Sequence, residues 1–254
     1  MQPEERQHRI EEYLNKVEFA SLEELAREVQ ASQSTIRRDL TALEALGNIR
    51  RTHGGARLAS PRSEEYVFAS RDTHQLAEKE AIARACAELI EPGRTLILDA
   101  GTTVYHVARN LATKRPQVIT NSLPVANFFA ADTSVEAVVS GGVIYPRLGV
   151  LVGPLAVESF TKMHADIAVL GAGGLTLDGI TNSHALLIDI QRAMIHSAHR
   201  VILCLDHSKF GRKSIAFLCG IERIHTLVTD AGAPAEFVET LRARGMQVVL
   251  APVE

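Results

Sequence analysis

Tryptophan is absent from the 254-residue sequence, and so is any run of about eighteen or more apolar residues, which excludes a membrane-spanning helix. The charged N-terminus, Met1 to His8, lacks the apolar stretch of a secretory signal. Only three cysteines occur, Cys86, Cys204 and Cys219. They form no close C-x-x-C pair and lie among apolar neighbours, so buried reduced thiols are the reading, and a cytoplasmic location is expected. Also missing are the G-x-S-x-G elbow, the Walker loop and a Cys/His nucleophile arrangement. No repeats or low-complexity tracts occur. What is present is an ordinary globular composition, 46% hydrophobic and 22% charged with a formal net charge of −3, which excludes intrinsic disorder. At about 150 residues per domain, the length suits one large domain or two unequal ones.

The small net charge averages over regions of opposite sign. Residues 1–30 are rich in glutamate, against Arg6, Arg9, Lys16 and Arg27. Residues 31–58 carry Arg37, Arg38, Arg50, Arg51 and Arg57 against Asp39 and Glu44, with no lysine. The planar fork of arginine suits bidentate contacts to phosphate and guanine. A solvated charged face is the plainer alternative, and charge alone does not decide.

Ile10, Tyr13, Leu14 and Val17 fall at i, i+3, i+4 and i+7, which predicts a helix from about Pro3. Ser21 followed by Glu24 is a capping box, and Leu22, Leu25, Ala26 and Val29 repeat the stripe. After a break at Gln30 and Ala31, Ser32 can cap a third helix with Ile36, Leu40 and Leu43 inside and Gly47 at its end. Ile49 to Arg51 and Ala56 to Leu58 flank Thr52, His53, Gly54 and Gly55, a hairpin signal. Three helices and a basic hairpin form a winged helix-turn-helix pattern. At ~100° per residue, the side of the third helix opposite its apolar stripe carries Ser34, Arg38, Thr41 and Ala45, with Thr35 and Arg37 on the shoulders. Arg38 can pair with guanine O6 and N7, while Ser34, Thr35 and Arg37 can hold phosphates. A solvent-exposed face that happens to carry two arginines would look the same.

From Ala59 to about Gln75 the chain is polar and reads as a linker. Beyond it the sequence predicts strands at Thr95–Leu98, Gln117–Thr120, Val135–Val139, Asp166–Leu170, Val201–Leu205, Thr226–Thr229 and Val248–Leu250. Helix-length segments such as Thr103–Ala112, Pro124–Ala131, His184–Ala198 and Pro234–Arg244 separate most of them. That alternation predicts a mostly parallel sheet covered on both faces.

Small polar loops follow several of these strands. Asp99, Gly101, Thr102 and Thr103 sit where a strand gives way to a helix, a combination suited to cradling an anion or to plain N-capping. Asn121 and Ser122 follow a second strand, Gly141 and Gly142 a third, and Gly171, Gly173 and Gly174 a fourth. Open parallel sheets bind ligands at the carboxyl ends of their strands, so these loops suggest one polar pocket for a phosphate and hydroxyl groups. Asp206 and Lys209 suit sugar hydroxyls and a phosphate charge, or form a surface turn. His196, His199 and His207 read as helix-terminal histidines rather than a metal site, and no metal or cofactor is expected.

The run from Ser32 to Ala56, with T-I-R-R-D-L at Thr35–Leu40 and H-G-G-A at His53–Ala56, resembles the N-terminal signature of the DeoR family of bacterial transcriptional repressors. D-x-G-T-T at Asp99–Thr103, T-N-S at Thr120–Ser122, G-x-G-G at Gly171–Gly174 and D-x-S-K-F at Asp206–Phe210 resemble its effector domain, so the likeness covers almost the whole chain. The resemblance implies that Ser34, Thr35, Arg37 and Arg38 lie on a recognition helix, with Arg50, Arg51 and His53 in a wing that grips the DNA backbone. It also implies a second domain similar in fold to ribose-5-phosphate isomerase and CoA transferases, which senses phosphorylated sugars or related intermediates. Asn182 is a further candidate for the effector site, and the segment it opens departs from the family: many members carry a glutamate four residues before a lysine where this chain has Leu187 and Gln191.

Residues 1–58 are therefore expected to form a winged helix-turn-helix, 59–75 a linker, and 76–254 an α/β effector-binding and oligomerisation domain. The expected function is repression of a carbohydrate operon by binding double-stranded operator DNA as a dimer or tetramer, with release by a phosphorylated sugar. The competing reading is a sugar-phosphate isomerase or acyl transferase with a DNA-binding appendage, using Asp99, Asp166, Asp178 or Asp206 as base or nucleophile. Leu187 in place of glutamate counts against it.

Overall fold

The computed structural model describes residues 3–17, 19–45, 48–52, 54–58 and 68–253. The chain divides into two compact units, Met1–Arg71 and Asp72–Glu254.

In the first unit, helix α1 (Pro3–Val17) buries Ile10 and Leu14. Strand β1 (Phe19–Ser21) follows, and Ser21 then caps α2 (Leu22–Glu28): its hydroxyl accepts from Glu24 N at 3.2 Å, while Glu24 Oε2 accepts from Ser21 N at 2.8 Å. Gln30, at φ 51°, turns the chain, and Ser32 Oγ accepts from Thr35 N at 3.2 Å to open α3 (Gln33–Ala45). Ile36, Leu40 and Leu43 are buried as expected, and so is Asp39. Strands β2 (Ile49–Thr52) and β3 (Gly55–Leu58) form the wing, and β1 extends it to a three-stranded antiparallel sheet in the order β1-β3-β2. A Cβ on Gly55 would lie 2.1 Å from Ala20 O, so glycine is required where β1 and β3 meet. Gly47 and His53 lie outside the described residues.

Helix α4 (Phe68–Thr73), inside the stretch read as a polar linker, crosses from the first unit into the second, and α5 (Leu76–Glu88) follows. Then come β4 (Thr95–Leu98), α6 (Thr102–Leu111), β5 (Gln117–Thr120), α7 (Leu123–Ala130), β6 (Ala137–Val139), β7 (Val143–Tyr145), β8 (Val150–Val152) and α8 (Pro154–Thr161). The rest is β9 (Ala165–Leu170), β10 (Gly174–Thr176), β11 (Gly179–Asn182), α9 (Ile188–His196), β12 (Ala198–Cys204), β13 (Ala216–Cys219), β14 (Thr226–Asp230), α10 (Ala235–Ala243) and β15 (Gln247–Ala251). Seven strands make one parallel sheet in the order β15-β14-β12-β9-β4-β5-β6, and each lies at an aliphatic run read from the sequence. Two antiparallel pieces accompany it, β10-β11-β13 and the β7-β8 hairpin.

Chain order runs outward from β4 through β5 to β6, then returns to the other side of β4 as β9 and runs outward again to β15. The reversal lies between β4 and β9, which is where open parallel sheets leave a crevice at their carboxyl ends. Asp166 lies at the opposite, amino end of β9, where it accepts from Thr95 N at 2.9 Å. Asp178 is exposed beside Lys213 at 3.4 Å. Neither therefore belongs with the strand-end carboxylates. His196 ends α9, but His199 lies within β12 rather than at a helix end. Among the described residues no helix is long and apolar enough to cross a membrane.

Candidate functional site

The exposed side of α3 is built from its buried side. Asp39 sits among the apolar residues because Arg6 of α1 meets it, Nε to Oδ2 at 2.6 Å and Nη2 to Oδ1 at 3.1 Å. This pins α3 against α1 and turns Ser34, Arg37, Arg38 and Thr41 to solvent, with Thr35 half-buried. Ser32 Oγ lies 2.8 Å from both Ser34 Oγ and Thr35 Oγ1, a hydroxyl cluster at the helix start. Thr41 Oγ1 donates to Arg37 O at 2.8 Å and accepts from Arg51 Nη1 at 2.8 Å, and Arg51 N donates to Glu44 Oε1 at 2.9 Å. Arg51 of the wing is thus tied to α3, while Arg50 is exposed beside it. Sequence reading missed the Arg6–Asp39 pair. Its signal was a carboxylate placed three residues after Ile36, on the inner stripe.

At the reversal point, Asp99 is buried just beyond β4, and Gly101, Thr102 and Thr103 start α6. Among the described residues no side chain caps this helix start. Its first amides and the positive end of its dipole therefore face the strand ends. A Cβ on Gly101 would meet Val104 Cγ2 at 3.7 Å, Gly171 Cα at 3.8 Å and Val104 N at 4.0 Å, ordinary contacts, so packing does not require this glycine. Asp99 Oδ2 accepts from Gly171 N at 3.2 Å and from Gln191 Nε2 at 2.7 Å. Gln191 Nε2 also donates to Gly171 O at 3.1 Å, and Gln191 Oε1 accepts from Asn182 Nδ2 at 3.0 Å. The departing segment thus has a physical account. Gln191 is buried and holds Asp99 through a neutral amide chain, and Leu187 is buried in the apolar interior.

The other strand ends differ from one another. Asn121 is fully buried; its Nδ2 donates to Leu151 O at 3.1 Å, and its Oδ1 is buried without a hydrogen-bond partner. Ser122 Oγ accepts from Val125 N at 3.4 Å and so caps α7. Gly141 N donates to Ser159 Oγ at 3.2 Å. Gly142 has φ +131° and would place a Cβ 2.6 Å from Val152 O, while Gly173 and Gly174 lie against Ser214 and Arg212. The fold alone accounts for those three glycines. Beyond β12, Asp206 is buried and caps the tight turn His207–Lys209 by accepting from Ser208 N at 3.0 Å and from Ser208 Oγ. Burial pushes the Asp206 carboxyl up, but the charge of Lys209, the bonds from Ser208 and the charge of Lys79 outweigh it and hold it below the usual carboxylate value. Lys79, on α5, is buried and was not foreseen from the sequence, where it looks like one charge of an ordinary helix surface.

Comparison with known proteins agrees with both halves. Residues 6–62 match the family model described as the DeoR-like helix-turn-helix domain, and residues 74–231 match the DeoR C terminal sensor domain. The chain is similar to the glycerol-3-phosphate regulon repressor of Escherichia coli (strain K12), 33% identical over 252 residues that cover 98% of this chain and 100% of that protein. It is also similar to the HTH-type transcriptional repressor GlcR of Bacillus subtilis (strain 168), 32% identical over 250 residues, covering 98% and 97%. Among solved structures, ribose 5-phosphate isomerase A from Methanocaldococcus jannaschii matches 53% of this chain and 54% of that one at 16% identity, with a TM-score of 0.39.

Proposed function

The chain belongs to the DeoR family of transcriptional regulators, and on that premise we propose that it represses a carbohydrate operon and is released by a phosphorylated sugar or related metabolite. Ser34, Thr35, Arg37, Arg38 and Thr41 of α3, with Arg50 and Arg51 of the wing, hold double-stranded operator DNA. The effector lies at the carboxyl ends of β4, β9 and β12. The uncapped start of α6, set at the reversal point of the sheet, carries this reading. A phosphate there meets backbone amides and the positive end of a helix dipole. Strands lie ~4.8 Å apart, so the turn bearing Lys209, two strands away, begins about 10 Å from α6 and its ammonium reaches toward the same anion. The bare Oδ1 of Asn121, one strand to the other side, accepts from an effector hydroxyl.

Asp99 is engaged by Gly171 and Gln191, and Asp206 by Ser208, so both carboxylates serve to shape loops. Sensing rather than turnover is the role of the site. The protein acts in the cytoplasm as a homo-oligomer, each winged helix covering one half-site. The test selects an operator from random-sequence duplexes and titrates the complex with inorganic phosphate, sn-glycerol 3-phosphate and glucose 6-phosphate. Release by at least one of these without product formation is expected. Turnover of a sugar phosphate, or failure to enrich any sequence, overturns the reading.

A further inference from the structure

We infer that Asp72, His106 and Lys79 are positioning residues that carry the effector's signal to the chain segment leading into the DNA-reading unit. The inference rests on the effector site proposed above and adds its route of communication. Asp72 is the first residue of the second unit and lies in α4, the helix by which the chain crosses the boundary. Its Oδ1 meets His106 Nε2 at 3.1 Å. His106 stands one turn after Thr102 on α6 and is 3% exposed. Two residues beyond Asp72, the carbonyl of His74 accepts from Lys79 Nζ. Lys79 is 4% exposed, and Asp206, at the head of the Lys209 turn, feels its charge.

Contacts of segment 72–74 thus run to the helix whose start receives the phosphate and to the cation beside the Asp206–Lys209 turn. Helices α5 and α6, which supply Lys79 and His106, also pack along each other. An anion seated between α6 and Lys209 draws charge from Lys209 and presses on the first turn of α6. Both disturbances reach 72–74 through His106 and Lys79, which are buried in close-packed surroundings that yield little, and from them through half-buried contacts to Asp72 and His74. Neither contact touches the anion or the DNA. Their role is to link the two binding events, and such a link is a free energy shared equally by both sites.

The experiment uses the full chain and its selected operator, with saturating inorganic phosphate, sn-glycerol 3-phosphate or glucose 6-phosphate at matched ionic strength. In the wild type, the active probe is expected to lower operator affinity by about 5- to 150-fold. In Asp72→Ala, and in Asp72→Ala combined with Lys79→Met, affinity for operator alone and for probe alone should stay within about 2-fold of wild type. The effect of the probe on operator affinity should fall several-fold in the single variant and shrink to about 2-fold or less in the double. Thermal melting checks folding, and Asp72→Asn, which keeps the side-chain shape, is read instead if the double variant melts early. Unchanged coupling in a folded variant overturns the link. So does a parallel loss of probe affinity, which would put these residues in the site itself. A wild type that binds operator but answers to no probe overturns the effector reading, and the link falls with it.

Discussion

Arg38 points away from the buried stripe of α3 and is exposed, with small side chains at Ser34 and Ala45 along the same face. Arg38→Ala is expected to cost about 1–3 kcal/mol at one base pair while leaving affinity for random DNA almost unchanged. Equal weakening on operator and random duplexes in a binding titration would remove the base-reading role. Cys219 shows the opposite kind of environment. Burial pushes its thiol up to about 11, helped by Glu222 and opposed by Arg223 and Arg192. The fold favours the neutral thiol, so this stabilisation is complete below the ordinary thiol value near 9.0 and is lost as pH rises through about 11. Alkylation by iodoacetamide should therefore accelerate with a midpoint near pH 11, since Cys86 and Cys204 are buried and do not compete. A midpoint at the ordinary value would contradict the burial effect.

At the level of elements, the strand-end turns divide the work of anion binding. Lys209→Ala deletes one charge-assisted hydrogen bond, about 1.5–3 kcal/mol, and should weaken effector binding about 10- to 150-fold. Titrating effector against a preformed operator complex measures this, with operator affinity in the absence of effector expected to be unchanged. Superimposable release curves would take Lys209 out of the site. These turns were legible in the sequence because each follows an aliphatic run that the sheet buries on both faces, as at Leu96, Ile97 and Leu98. Shorter strands were not. Val143–Tyr145 and Gly174–Thr176 have three residues each, too few to show a period of two against their surroundings. Helix α5 was hidden for another reason: Lys79 lies on its buried side, so the apolar stripe is broken where the sequence would start it. The glycine-rich loops misled in part, since Gly142 and Gly174 answer to the carbonyls of Val152 and Arg212. No property of the sequence marks a glycine as clearing room for a ligand rather than for its own backbone.

In the whole molecule the two units do not share a core: the first packs around Ile10, Leu14, Ile36 and Leu40, while one face of the second unit's sheet packs around Leu96, Leu98, Val169 and Phe129. Asp39→Ala leaves Arg6 without its carboxylate in the first core, and about 3 kcal/mol of destabilisation is expected, the lower end of the range because Arg6 can swing to water. Scanning calorimetry should show a first transition moved down and a second unmoved; one common displaced transition would mean that the units unfold together. The order of strands also has a consequence in time. The crevice between β4 and β9 closes only when Gly171 reaches Asp99, 72 positions earlier in the chain. At about 5–20 residues per second, synthesis takes about 5–20 s to run from Arg71 to Gly171. Throughout that interval each translating ribosome carries the whole reading-head sequence and only part of the sensor's.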